Sequence, residues 1–572
     1  MMILRSGRAR AMHAGMLLAV LAGTAATARG GTGLISGKIQ YTGRTGLEAD
    51  AGSYKEFASR NVKVEIWDKN SDGTDVLIGS GVTDSDGNYS IIVPLADTDT
   101  TPPDTANVID PYVKVYTTTP DRTPGYLTVR KAGPRVGTLE PVLGDIWDHS
   151  TAHTDNMAVA TINHTFGQGT ANSVDRAFAV YDSFQDVVNH HLGLPGSAAG
   201  HIDVSYPTPM STSNFSSGHL HILEGDRYDW DVNGHEYGHY VSSLYGMEDS
   251  PGGKHSSRNN LRFSRGAGGD DLGSVLSRDR ADKLAWGEGW ATYFGISGNI
   301  DEGVDGLDVQ RAGDTIYNDN DDANGTGQGL RYGIESRHVG ATPSRGEDNE
   351  ASVSRILLDL ADTTNDADDH DRVSLGFGTL HALLDTNNVT SMTGLWSALE
   401  GQAGVTGNDL IDYGAIFMRH NAASTPSITS VHGDVFDPTA PGTPTFGWSV
   451  PLGGQTSTGF ATALFHDFKL IVVDSLGASV FDSGWLGDVT TYSPMTSMPL
   501  AWVTLLANNQ EENLRWVVAS RETTTETDTG GSTFSYTSGG YWSDALSFYV
   551  IPAPSGVAAL GLLALGAARR RR

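Results

Sequence analysis

Two histidines four residues apart, with a glutamate directly after the first, stand at His235-Glu236-Tyr237-Gly238-His239. On a helix, positions i and i+4 share one face, so both imidazoles can grip one ion. Glu236 is then placed to reach a water on that ion without becoming a ligand. A catalytic zinc takes three protein ligands and keeps a fourth position open. The chain has no cysteine, so the third ligand must be His, Asp or Glu. The same absence excludes disulfide frameworks, thiol nucleophiles and iron–sulfur clusters. Val232 and Val241 supply apolar positions for the helix, and Asp229 or Asp231 can cap it.

The segment Ala285-Trp286-Gly287-Glu288-Gly289-Trp290-Ala291 is similar to the E-G-x-A helix of the gluzincin peptidases. The resemblance covers this helix and the H-E-x-x-H helix. It implies that Glu288 is the third zinc ligand, that Glu236 is the general base, and that the reaction is hydrolysis of a peptide bond in a protein or peptide substrate. Gly289 and Ala291 are small, as a close approach to the first helix needs. Thermolysin-like members carry Asp four residues after the ligand Glu to orient a zinc histidine; this chain has Thr292 there. Gluzincins also use a Tyr or His to stabilise the developing oxyanion, and Tyr293, His338 and His381 are the candidates. His381 falls on an expected helix and is equally a candidate core residue. The metzincin pattern requires a further histidine after H-E-x-x-H, and the residues after His239, Tyr240-Val241-Ser242-Ser243-Leu244-Tyr245, exclude it.

These residues need a scaffold. Residues 144–423 read as a mixed, helix-richer metallopeptidase domain, with Val174, Ala177, Phe178, Tyr181, Phe184 and Val188 at helical spacing. His219 to Leu223 is a strand candidate that could pair with an extended substrate. His255, in the Gly-rich loop from Gly252 to Asp271, is a candidate site residue or a solvated loop histidine. Residues 33–141 read as short strands and turns. Val62, Val64 and Ile66 alternate with Lys63, Glu65 and Trp67, and Thr83-Asp84-Ser85-Asp86-Gly87-Asn88-Tyr89 is a turn. This order resembles transthyretin-like or Cna-B-type sandwiches. Residues 431–550 return to strands and resemble a fibronectin type III or Ig-like sandwich in pattern and spacing. The expected fold class is therefore multidomain, an α+β zincin-like core flanked by two β-sandwich domains.

Acidic residues (68 against 38 basic ones) set a net charge of −30, which argues against nucleic acid as a partner. Asp68-Lys69-Asn70-Ser71-Asp72-Gly73 opens like a calcium loop, but Gly79 stands where a bidentate Glu is required, so a hairpin turn is expected there. The loops Asn318–Asn324 and Asp362–Asp371 are dense in hard oxygen ligands, and calcium is a second candidate cofactor. Residues 1–28 read as a signal peptide, with Arg5, Arg8 and Arg10 before an apolar run that ends at Ala26-Thr27-Ala28. Residues 551–572 place Pro552-Ala553-Pro554-Ser555 before an apolar run and Arg569 to Arg572. This layout resembles the PEP-CTERM sorting tail, with Ala553 where that family has Glu. It implies an exported, envelope-associated or extracellular protein handled by a membrane sorting machinery. Two functions are compatible with the whole: a zinc endopeptidase, or a cell-surface adhesive or structural protein with an inert metallopeptidase-like core.

Overall fold

The computed structural model describes residues 31–44, 54–95, 108–120, 125–135, 140–167, 173–252, 255, 278–304, 312–319, 330–335, 347–363, 373–420, 427–428, 435–436, 446–449, 460–492, 513–528, 530–543 and 545–550. The two termini, His338 and most of the acidic and Gly-rich loops lie outside the described residues. The chain is multidomain and mixed α+β, with β-rich parts before and after a helical centre. No helix among the described residues is long and apolar enough to cross a membrane.

The alternation at Val62–Trp67 forms the strand Lys63–Asp68, with Val64 and Ile66 fully buried. This strand pairs antiparallel with Val76–Val82 and with Pro111–Tyr116, which in turn pairs with Asp148–Ser150. Glu65, expected on the outer face, is buried too. It accepts hydrogen bonds from Trp67 and Tyr116 and pairs with Lys63. In the second sheet, the long strand Thr32–Arg44 runs antiparallel to Tyr54–Ala58 and Asn88–Pro94, and parallel to Val159–Thr161 and His164–Phe166. The turn at Thr83–Tyr89 forms around Asp84, whose carboxylate accepts the backbone N–H groups of Asp86 and Asn88, with Gly87 at φ +78°.

The expected boundary near residues 141–144 falls inside a shared sheet. The strand Leu127–Ala132 runs parallel to Ile202–Tyr206, and antiparallel to Leu143–Ile146. Parallel pairing joins segments distant in sequence, so local patterns do not announce it. Ile202–Tyr206 then pairs with His219–His221, which pairs with Asn214–Ser216. The expected strand at His219 is thus flanked on both sides, and Asn214–Ser216 forms the edge among the described residues.

Seven helices are described: α1 (Val174–Gly193), α2 (Trp230–Tyr245), α3 (Arg278–Glu302), α4 (Glu350–Ala361), α5 (Phe377–Asn387), α6 (Met392–Glu400) and α7 (Gly407–Arg419). α1 is tied to the N-terminal strands by buried charge pairing. Arg60 donates to Asp182 at 2.7 Å and to Asp186 at 2.9 Å, and Tyr41 donates to Asp182 at 2.7 Å.

α2 and α3 cross at small residues. A Cβ built on Gly238 would lie 2.7 Å from the Ala291 Cα, and one on Gly295 would lie 2.7 Å from the His235 nitrogen. Gly289 serves another contact. A Cβ there would lie 2.5 Å from the Val353 Cβ and 2.7 Å from the Glu350 carbonyl oxygen, so Gly289 admits α4 and not α2.

In the C-terminal part, Phe460–Val473 and Asn513–Asp528 form a long antiparallel ladder. Phe468, Leu470, Val472, Trp516 and Val518 face a separate apolar core, while Ile471, Val473, Val517 and Ala519 join the main one. The two-residue period therefore buries both faces. Trp396 of α6, Phe417 of α7 and Tyr541 form one ring cluster at that junction.

Candidate metal centre

α2 delivers His235 and His239 from one face, one turn apart, and the α3 crossing brings Glu288 against them. The His235 Nε2 lies 3.2 Å from the His239 Nε2 and 3.2 Å from the Glu288 Oε2; the His239 Nε2 lies 3.3 Å from the same oxygen. A tetrahedral ion with bonds of about 2.0–2.1 Å has ligand edges of roughly 3.3 Å. The triangle fits such an ion, and its two-imidazole, one-carboxylate chemistry suits it. These groups could hold a metal ion.

Each histidine is held from behind. The His235 Nδ1 is 2.9 Å from the Thr292 hydroxyl, which is 3.2 Å from the Tyr332 hydroxyl. Thr292 stands four residues after Glu288 and meets His235 with a neutral group. The His239 Nδ1 is 3.6 Å from the Glu248 Oε1, and Ser242 donates to the other Glu248 oxygen at 2.7 Å. Ring nitrogens away from an ion are commonly oriented by such partners. Glu248 was not singled out from the sequence. It follows α2 by a turn at Gly246, whose φ of +66° reverses the chain.

These surroundings set the proton affinities apart. Burial holds His235 below the usual histidine range. Burial opposes charge on His239 too, but Glu288 and Glu248 outweigh it and raise this group well above the usual range. Burial acts to raise Glu288, but His255, His239 and His235 outweigh it and hold it well below the carboxylate range. Glu236 is buried beside the triangle. Its pKa is pushed up to about 7, first by burial, with His239 opposing and Glu288 and Asp226 adding; the Phe215 backbone N–H of the edge strand also hydrogen-bonds to it.

The sequence candidates for oxyanion stabilisation sit elsewhere. Tyr293 follows Thr292 but turns away, against Trp290 and Phe377. His381 packs on Tyr245 and Trp290 in the core. His338 lies outside the described residues. Neither Tyr293 nor His381 joins the triad. Among the described residues, Tyr317 on the strand Ile316–Asp319 lies close instead, its ring 5.8 Å from the His235 ring and under the electrostatic influence of Glu236. His255 is brought in as well, its Nε2 3.3 Å from the Glu288 Oε2. Tyr317 was not singled out from the sequence, whereas His255 was a candidate there, as a site residue or a solvated loop histidine.

Of the acidic loops, Asp319 gathers with Asp226 and Asp229 within 4.8 Å. Asp231 is buried and accepts from the Asn318 backbone N–H at 3.0 Å, its pKa pushed up to about 8 by burial. In the Asp68–Gly79 segment, Asp72 accepts from Thr74 of its own loop, and Asp75 accepts from Lys69 and from Tyr112 of the neighbouring strand Pro111–Tyr116.

No protein-family model matches the chain, and no curated protein matches it. Among solved structures, a 9R-lipoxygenase from Cyanothece PCC8801 is similar over 28% of this chain and 23% of that one, with 16% identity and a TM-score of 0.16. The match spans under a quarter of that protein's length, and a likeness so slight carries no argument.

Proposed function

We propose that the chain is an exported zinc endopeptidase with a gluzincin-type, zincin-like core. The observation that carries the reading is the triangle of His235, His239 and Glu288, whose donor atoms stand 3.2–3.3 Å apart. Zinc held there would polarise a substrate carbonyl and bring the pKa of a water toward about 7.

The chain's own residues supply the rest. Glu236 takes up a proton on its carboxylate and passes it to the leaving amine. Burial raises its proton affinity above that of an ordinary carboxylate, which favours its taking up that proton. Tyr317, whose ring lies 5.8 Å from the His235 ring, is assigned here as the hydrogen-bond donor to a developing oxyanion. Asn214–Ser216, the sheet edge next to Glu236, offers backbone groups to an extended peptide. Pairing along a strand suits a peptide that continues in both directions, and so an endopeptidase. The targeting reading of residues 1–28 and 551–572, with a membrane sorting machinery as partner, belongs to the same proposal.

Glu236→Gln tests it. Zinc should remain bound, and casein cleavage should fall by roughly 10²–10⁴-fold. His235→Ala should lose the metal itself. Casein cleavage unchanged in Glu236→Gln, or unaffected by o-phenanthroline, would overturn the assignment.

A further inference from the structure

We propose that a second divalent cation binds beside the first, between His255, Glu288 and Glu350, with Glu288 shared by the two. The proposal rests on the zinc reading through that shared carboxylate. The His255 Nε2 lies 3.3 Å from the Glu288 Oε2 and 3.8 Å from the Glu350 Oε2. One donor atom from each of the three residues falls within 4.8 Å of the others, and this set has only Glu288 in common with the His235–His239 set.

Glu350 supplies the independent observation. It is 3% exposed, and its Oε1 is buried without a hydrogen-bond partner among the described residues. A buried carboxylate oxygen left unsatisfied is costly. His255 is the histidine that reaches both carboxylates, while His235 and His239 contact the same Glu288 oxygen from the other side. The fold places this charge on purpose-built elements. Asn349 caps α4 by accepting from the Ser352 N–H at 3.0 Å, which sets Glu350 in the first turn. Gly289, next to Glu288 on α3, lets that turn approach. A helix start alone would accept a substrate anion, whereas this one presents a carboxylate toward another carboxylate, which selects a cation. One imidazole nitrogen with carboxylate oxygens is a borderline donor set suited to zinc. Paired catalytic ions stand about 3.5–4 Å apart, a span that one shared carboxylate bridges.

The test is metal stoichiometry on the full chain. The protein is dialysed to equilibrium against buffered zinc and measured by elemental analysis, with circular dichroism melting to confirm the fold of each variant. Wild type and Glu236→Gln should bind two zinc ions per chain. Glu350→Gln and His255→Ala, one on a helix and one in a loop, should each bind one. A single ion in wild type, lost in His235→Ala, would overturn the second site and leave the peptidase reading standing. Two ions retained in both Glu350→Gln and His255→Ala would also overturn it. No bound zinc in wild type would overturn both readings.

Discussion

The two flanks of the metal triangle solve one problem with opposite chemistry. On the side of the strands Ile316–Asp319 and Leu330–Gly333, His235 rests on a chain of hydroxyls, Thr292 and then Tyr332. On the side of the turn after α2, His239 rests on a carboxylate, Glu248. The difference follows from what else is buried. Glu236, Glu288 and Glu350 are already gathered around the two histidines. A carboxylate at position 292 would be one more acidic group to bury among these, and burial disfavours its charged form. A hydroxyl fixes the ring without adding charge. Glu248 is the more exposed of these acids, at 22% of its side chain, and tolerates ionisation better.

The largest effect should come from breaking what both flanks share. Gly238 lies between the histidines on the face of α2 that meets Ala291. Gly238→Val must push α3 away and carry Glu288 with it. Overpacking of this kind costs about 3 kcal/mol or more when backbone is the obstacle. Urea denaturation should show the loss, and zinc binding should fail along with it. Normal zinc affinity in a folded Gly238→Val protein would mean that the crossing does not set the triangle.

Next in size is a stability effect at Glu236, which belongs to neither flank. Its carboxyl keeps its proton up to about pH 7 in the folded chain, while the unfolded chain loses it near the ordinary 4.5. Between those values the folded state binds more protons, so stability falls as pH rises. In metal-free protein, Glu236→Gln should match wild type near the lower value and exceed it by about 3 kcal/mol above the upper one. Urea midpoints at acidic and mildly alkaline pH check this. Equal pH slopes in the two proteins would contradict the burial argument.

How far the site could be read in advance depended on the geometry involved. His235, Glu236 and His239 lie on one helix at fixed spacing, and Glu288 came with a resemblance to a second helix. Both rest on local repeats, which a sequence displays. Thr292 lies four residues after Glu288 and so shares its face, whereas Tyr293, one step on, is rotated by about a further 100°. Helical phase separates the two, a distinction that the choice of Tyr293 as an oxyanion candidate did not use. Glu248, His255 and Tyr317 reach the site through a reversing turn, a loop and a strand, none of which has a period to read. The β-rich character of the flanks was legible from alternation at Val62–Trp67. The sharing of one sheet between Leu127–Ala132 and Ile202–Tyr206 was not, because it is a parallel pairing across 75 positions in register, Leu127 opposite Ile202.

The comparison itself is sharpened by removing one support at a time. Glu248→Gln takes away the charged support, and zinc affinity should drop toward the upper end of the roughly 10–100-fold range for such partners. It should also change the pH response. A metal must displace the proton that Glu288 and Glu248 favour on His239, so wild-type affinity should rise with pH, and in Glu248→Gln that rise should move to lower pH. Thr292→Val removes the neutral support at nearly constant volume. Its loss should sit near the lower end, about 10-fold, with no displacement of the pH response, because no charge has changed. Competition titrations with a zinc chelator across a pH series measure both. If Thr292→Val moved the pH response as far as Glu248→Gln does, the hydroxyl chain would be carrying a proton rather than orienting a ring, and the contrast between the flanks would be one of degree.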